Sequence, residues 1–434
     1  MKELRPFQIV LLAIFGLGAL IGLYVFATFG GFGGSKVQVG EVLIWGTLPS
    51  EGVNAGIDAL AQAQTEYAKV TYVEVSEYTF DSDLAEALAS GAGPDLVIVS
   101  QEMLSDEKNK LDVIPFTSIS ERTYLDSYLP IFELFLTPDG TYGLPLVVDP
   151  LVLYYNRSIL ASAGIASAPS TWEAVSGLAP SITKRTDGGA VSRSLISLGE
   201  YSNVMNARGI LSLLLLQAGS PITEVGQQGM RSTLADSPES AFGTSPAQSA
   251  VNYYAQFADP AKTLYSWNRS LPNSRSAFIA GDLVLYPGYA SEQPFLSEAN
   301  PNLDYDMAPI PVPATLSNRL TYGKAYAFAI PKASANRSGA YAAANALSAS
   351  NIAATIAKGV GMAPARRASL SAPSNDKYAT VFYREALVAR GWLSPAPSAT
   401  DAIFSAMISD ITSGRRNVEQ ALGVASRAIT EEIQ

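Results

Sequence analysis

Neither histidine nor cysteine occurs among the 434 residues, so chemistry is left to carboxylates, hydroxyls, amines, amides and aromatic rings. That excludes Ser-His-Asp and Cys-His catalysis, zinc sites built on thiolate or imidazole, Fe–S clusters and disulfides. It also leaves no cysteine to carry a lipid anchor. Among the acids, Asp149 interrupts an apolar run over residues 147–155, beside Pro150. It reads either as a turn or strand-edge residue or as a functional carboxylate. Glu51 and Glu102 stand in polar stretches that follow apolar ones. Two carboxylates flanking a glycosidic bond would make a glycosidase, but no spacing in the chain marks such a pair, and no enzyme is expected. With 4 Trp, 21 Tyr and 16 Phe, rings suffice for ligand stacking as well as for packing. A formal charge of −10 offers no basic field for a phosphate backbone, so nucleic acid is not an expected partner. No phosphate-binding loop, metal motif or cofactor motif is present.

These residues need elements to position them. The apolar run VLIW at 42–45 predicts a buried strand, and residues 52–69 have helical spacing through Val53, Ile57, Leu60 and Tyr67. Residues 70–75 are β-branched. Residues 82–89 predict a helix capped by Asp81 or Ser82, and DLVIV at 95–99 predicts another buried strand. Strand, helix, strand, helix, strand is the alternation of an α/β domain with a largely parallel sheet. In such sheets ligands meet the loops beyond the strands' carboxyl ends, here residues 46–51 and 100–103. Further on, STWE at 170–173 predicts a helix start with Ser170 as cap and Glu173 completing a capping box. Residues 208–218 predict an apolar helix too short to span a bilayer, and 246–257 another helix. DLVLY at 282–286 predicts a strand, as do 325–330. An Ala-rich helix is expected over 333–356 and two more over 400–434. Trp45, Tyr154 and Trp172 are expected in the core. The Asn-Arg-Ser triplets at Asn156, Asn268 and Asn336 occur too readily by chance to carry weight.

At the amino end no charge falls between residues 7 and 32. That exceeds the ~20 residues needed to cross hydrocarbon. Lys2 and Arg5 precede it, which puts residues 1–6 in the cytoplasm and the bulk of the chain outside. The apolar core is longer than that of a cleaved signal peptide. A single transmembrane signal anchor is therefore expected at 7–32, followed by a short flexible linker at 33–39.

In their order, the motifs GAGPDLVIV (91–99), DGTYGLPLVVDPLVLYYNRSIL (139–160), PSTWEAV (169–175), FIAGDLVLYPGY (278–289) and SGRRNVEQALGVASRAIT (413–430) resemble the family 1 extracellular solute-binding proteins of ABC importers. That group includes maltose-binding protein, and the resemblance covers nearly all of residues 40–434. It implies an α/β, periplasmic-binding-protein-like (type II) fold with two lobes and a ligand cleft. The first lobe is expected at 40–148 with 309–333, the second at 149–308 with 334–434, and the crossings at 147–150 and 308–313. It implies a monomeric, non-catalytic receptor that captures a carbohydrate and delivers it to ABC permease subunits in the same membrane. A surface receptor or adhesin without a transporter, or a binder of polyamine or peptide, is the alternative.

The resemblance also nominates ligand-binding positions. Asp149 falls where the family has a sugar-binding carboxylate. Tyr289 falls where it often has a stacking Trp, and is a narrower platform. Loop polars offer Thr47, Ser50 and Glu51 after the first strand, and Ser100, Gln101 and Glu102 after DLVIV. Tyr201, Trp267, Tyr322 and Gly323 complete the set. Glu51, Glu102 and Asp149 make this neighbourhood negative, which disfavours phosphorylated or carboxylated ligands and ranks a neutral oligosaccharide first.

Overall fold

The computed structural model describes residues 39–226, 229–236, 243–371 and 376–433. The expected anchor at 7–32, with residues 1–6 and nearly all of the linker, lies outside them. Among the described residues no helix is long and apolar enough to cross a membrane.

An eleven-stranded sheet runs through the molecule. Strand β1 (Val42–Gly46) lies between β2 (Val70–Glu74) and β3 (Leu96–Ser100), parallel to both. Helices Ser50–Ala63 and Phe80–Ser90 make the crossovers. β3 is buried on both faces. Leu96 and Ile98 enter a smaller hydrophobic cluster with Val42, Ile44 and Leu60, while Val97 and Val99 enter the larger one. This explains its unbroken apolar sequence. The second helix starts two residues before the expected position, at Phe80, because that ring is fully buried. Thr79 precedes it without a side-chain cap, and Gly91 ends it at φ +74°.

The next strand in space comes from far along the chain. Thr321–Ala329 pairs antiparallel with β3 on one side. On its other side it pairs with the long strand Leu144–Asn156. That strand of 13 residues spans both lobes. Residues 144–150 pair with Thr321–Ala329, and residues 151–155 pair with Leu283–Tyr289. The handover falls at Pro150, which faces Gly323, while Leu151 faces Tyr289. Proline has no N–H to give a central ladder, and here it stands where the ladder changes partner. Beyond it the second lobe continues through Val191–Ile196 and Lys184–Arg185.

Several local expectations differ from what folds. Thr171, not Ser170, caps helix Trp172–Ile182, accepting from Ala174 N at 3.2 Å. Glu173 instead accepts Ala314 N at 3.0 Å, tying this helix to the segment between the lobes. The Ala-rich stretch breaks into two helices, Arg337–Leu347 and Ser350–Gly359. Both pack with β1 and helix Ser50–Ala63 in the smaller cluster, so residues 337–362 complete the first lobe rather than the second. Only then does Ala363–Pro364 pair with residues 147 and 148, and the chain returns to the second lobe. Helices Pro397–Thr412 and Val418–Ile433 close that lobe. Tyr154 and Trp172 are core residues, whereas Trp45 is half-buried at the end of β1.

Candidate functional site between the lobes

The carboxyl end of β3 meets Thr321–Ala329 beside the handover. On the latter strand Tyr322, Lys324 and Tyr326 alternate onto one face. Glu102 follows β3, buried, and accepts the Tyr322 hydroxyl. Lys324 Nζ lies 3.7 Å from Glu102 Oε2 and 3.5 Å from Glu77 Oε1. Burial alone would raise the pKa of Glu102, but Arg208 and Lys324 hold it below the ordinary carboxylate value. Burial likewise works against the charge on Lys324, yet Glu102, Tyr326 and Glu77 leave its pKa raised.

Asp149 is the register partner of Lys324 across the sheet. Its oxygens accept Ser291 N at 3.0 Å and Ser291 Oγ at 2.6 Å. Burial dominates those donors and pushes its pKa up to about 7. Asp149 therefore holds the strand to the turn after Leu283–Tyr289, with its lone pairs largely engaged. Tyr289 carries Lys324 5.3 Å from its ring centre. Its hydroxyl stands so close to Gly209 that a Cβ there would lie 2.4 Å away. Glycine at 209 thus lets helix Ala207–Gln217 approach the tyrosine.

That helix begins at Asn206, in the left-handed region at φ 63°. Glu292 fixes this strained residue. It accepts Asn206 Nδ2 at 2.6 Å, the Tyr286 hydroxyl at 2.5 Å and Tyr289 N at 2.9 Å. Arg208, in the first turn, donates from Nη1 to Pro397 O at 3.2 Å and lies 5.8 Å over the Trp392 ring. Burial opposes its charge, but Glu102 across the site raises its pKa.

The nominated residues divide. Asp149, Tyr289, Tyr322, Glu102 and Gly323 come together. Gln101 is fully buried and clamps backbone, donating to Gly323 O at 3.1 Å and accepting Ala325 N at 2.6 Å. Ser100 is buried in the ladder opposite Tyr326. Neither presents itself to a ligand. Trp267 is buried too, its indole N–H held by Asn203 Oδ1 at 3.0 Å. It braces the loop before Arg208 and is not a platform. Tyr201 lies on that loop and donates to Asp401. Ser50 is bound through N and Oγ to Glu74, both at 2.8 Å. Thr47 is half-buried and Glu51 exposed at the same end of the sheet. No hydrogen bond in the described residues ties them to the Glu102–Lys324 cluster.

Sequence reasoning missed Arg208, Lys324 and Glu77, and with them the charge of the site. Two buried or half-buried cations face Glu102, so the neighbourhood is not simply negative and the case against anionic ligands lapses. Signals existed. Lys324 is the one charge in a strand of otherwise apolar and aromatic alternation. Arg208 is the only charge in helix Ala207–Gln217 and sits in its first turn, where the helix dipole disfavours a cation. Among the described residues no cluster of acids is placed to hold a metal ion.

A two-lobe α/β molecule whose lobes share a strand, with a charged and aromatic cluster at the handover, is built as a binding protein. The chain belongs to the bacterial extracellular solute-binding protein family, whose profile matches residues 57–382. The same fold is found in a cyclo/maltodextrin-binding protein solved with maltotetraose (16% identity, 93% of this chain and 99% of that one, TM-score 0.72). It recurs in a cyclic α-maltosyl-1,6-maltose binding protein from Arthrobacter globiformis (16%, 91% and 99%, TM-score 0.72). A Thermus thermophilus maltotriose binding protein bound with maltotriose is similar (16%, 91% and 100%, TM-score 0.65). By sequence, binding proteins of Brucella abortus and Brucella suis are 29% identical over 94 residues, 21% of this chain. The match spans 22% of the length of those relatives.

Proposed function

We propose that this protein is an extracytoplasmic saccharide receptor of an ABC importer, held to the membrane by residues 7–32. It captures its ligand between the lobes and presents it to permease subunits in the same membrane. The observation that carries the reading is the cluster of Glu102, Lys324, Tyr322 and Tyr289 where the shared strand passes between lobes, with Arg208 added from the second lobe. Saccharide recognition needs charged or amide groups for paired hydroxyl hydrogen bonds and a ring for the apolar sugar face, and the cluster holds both. The sugars bound by the similarly folded proteins favour the same class. Residues 149–151, where the shared strand changes partner, and the segment 309–320 between two strands are the natural hinges for closure. ATP hydrolysis falls to partner subunits.

The test is a thermal-shift screen of the purified full chain against oligosaccharides, with polyamines, amino acids and peptides alongside. A ligand that binds only the folded state raises the melting temperature. A rise with saccharides is expected. A rise with polyamine or peptide alone would overturn the ligand class. Tyr289→Ala and Glu102→Gln are each expected to weaken binding more than tenfold with folding retained. Unchanged affinity in both would remove the site assignment.

A further inference from the structure

Arg208 leaves one edge of its guanidinium unused. Nη1 is engaged by the Pro397 carbonyl. Nε and Nη2 are shut off from solvent and meet no acceptor among the described residues. Their N–H groups point the same way, along the side-on edge of the guanidinium that matches the two oxygens of a carboxylate. A buried charged donor without an acceptor is costly, so this edge is an incomplete site rather than a finished structural contact.

The nearby acids do not complete it. Among the described residues no carboxylate lies within ion-pair distance of Arg208. Glu102 is near enough to influence its ionisation, but its oxygens are engaged by Tyr322 and Lys324. Asp149 is engaged by Ser291. The guanidinium is also held still. Trp392 lies beneath it, and that indole is itself fixed by donating to Ser212 Oγ at 2.9 Å. Tyr322, Tyr201 and Tyr289 are near enough to act on its charge, and a rigid fork among these rings suits a planar two-oxygen anion.

We propose that Arg208 anchors a carboxylate on the ligand, so that the site takes an acidic saccharide, one bearing a uronic acid, in preference to its neutral counterpart. This rests on the saccharide-receptor reading. The carboxylate lies across Nε and Nη2, and Lys324 adds a second positive charge nearby. A pair of sugar hydroxyls satisfies the same N–H groups but leaves the buried guanidinium charge uncompensated. A carboxylate satisfies both demands at once.

The experiment is calorimetric titration of the full chain, purified in detergent. The probes are di- and trigalacturonate, glucuronate-bearing disaccharides, the methyl esters of each, and neutral malto-, gluco- and galacto-oligosaccharides. An ester keeps the sugar and removes only the charge. The expected result is binding of at least one uronate, with its ester at least 30-fold weaker. Arg208→Lys keeps the charge and loses the fork. It is expected to cost the uronate tenfold or more and the ester less, so that the acid-to-ester ratio narrows at least threefold. The acid-to-ester comparison needs no variant and stands even if Arg208→Lys folds poorly. Equal binding of acid and ester, or binding of neutral sugars alone, overturns this proposal and leaves the saccharide receptor standing. Failure of every saccharide, acidic or neutral, overturns both.

Discussion

Replacing Asp149 by Asn should reverse part of the pH dependence of stability. Folding moves this carboxyl from an ordinary 3.8 up to about 7, because burial disfavours the charge more than Ser291 and Lys324 favour it. The folded state then holds the proton more tightly than the unfolded state. Stability is greatest below the unfolded pKa and is lost as pH rises through the folded one. A gap of about three units corresponds to about 4 kcal/mol in all, of which about 2.5 kcal/mol falls between pH 5 and pH 8. Asn cannot ionise, and its carbonyl and amide can meet Ser291 N and Oγ in place of the carboxylate. The stability of Asp149→Asn relative to the natural protein should therefore rise by about 2–3 kcal/mol from pH 5 to pH 8. Glu107 and Glu385, buried acids also pushed up to about 7, stay in both proteins and cancel in the difference. Urea unfolding followed by tryptophan fluorescence at each pH measures it. A difference that stays constant with pH, or that moves against the variant, would refute the reasoning. Asp149 would then be an ordinary ionised partner of Lys324.

Other changes probe the framework. Gln101→Ala leaves Gly323 O and Ala325 N buried without their clamp. It should cost about 2–4 kcal/mol in urea unfolding, and a loss below 1 kcal/mol would mean the clamp is dispensable. Gly209→Ala drives a methyl group into the Tyr289 hydroxyl and should destabilise by about 1–3 kcal/mol. Adding Tyr289→Phe, which removes that oxygen, should recover at least half of the loss, as read from melting temperatures. Saccharide binding should perturb the fluorescence of Trp392, beneath Arg208, and not that of Trp267. Trp392→Phe should abolish the ligand-induced change and Trp267→Phe should preserve it.

The parallel core of the first lobe was legible because each of its elements is local in sequence. DLVIV reads as a doubly buried strand, and its two faces do enter two clusters. Closure of that lobe was not legible. Residues 337–362 are Ala-rich helix by composition, and nothing local says whether such a surface packs on the first sheet or the second. The cap at Thr171 was missed because Ser170 and Thr171 are chemically equivalent caps, and the tie from Glu173 to Ala314 spans 141 residues. Asp149 and Tyr289 were nominated from resemblance, and their neighbours explain why those positions are unusual. Trp267 was nominated because it precedes the helix ending at Gly281, where a ring could face the cleft. Its bond to Asn203 is a tertiary fact that no periodicity encodes. Arg208 and Lys324 were passed over for the opposite reason. Each is a lone cation in an apolar element, which a composition-based reading treats as noise.

The placement of Thr321–Ala329 between β3 and Leu144–Asn156 also governs how the molecule comes into being. Gln101 reaches its backbone partners 222 and 224 residues downstream. Neither lobe is a contiguous stretch of chain, so neither can mature while the other is still being made. A nascent chain of 300 residues would carry β3 with an open edge and an uncovered apolar face. Contacts this distant in sequence slow folding and lengthen exposure to aggregation. The amino-terminal third therefore waits for the last third. A single truncation before residue 362 should remove both lobes together rather than spare the first.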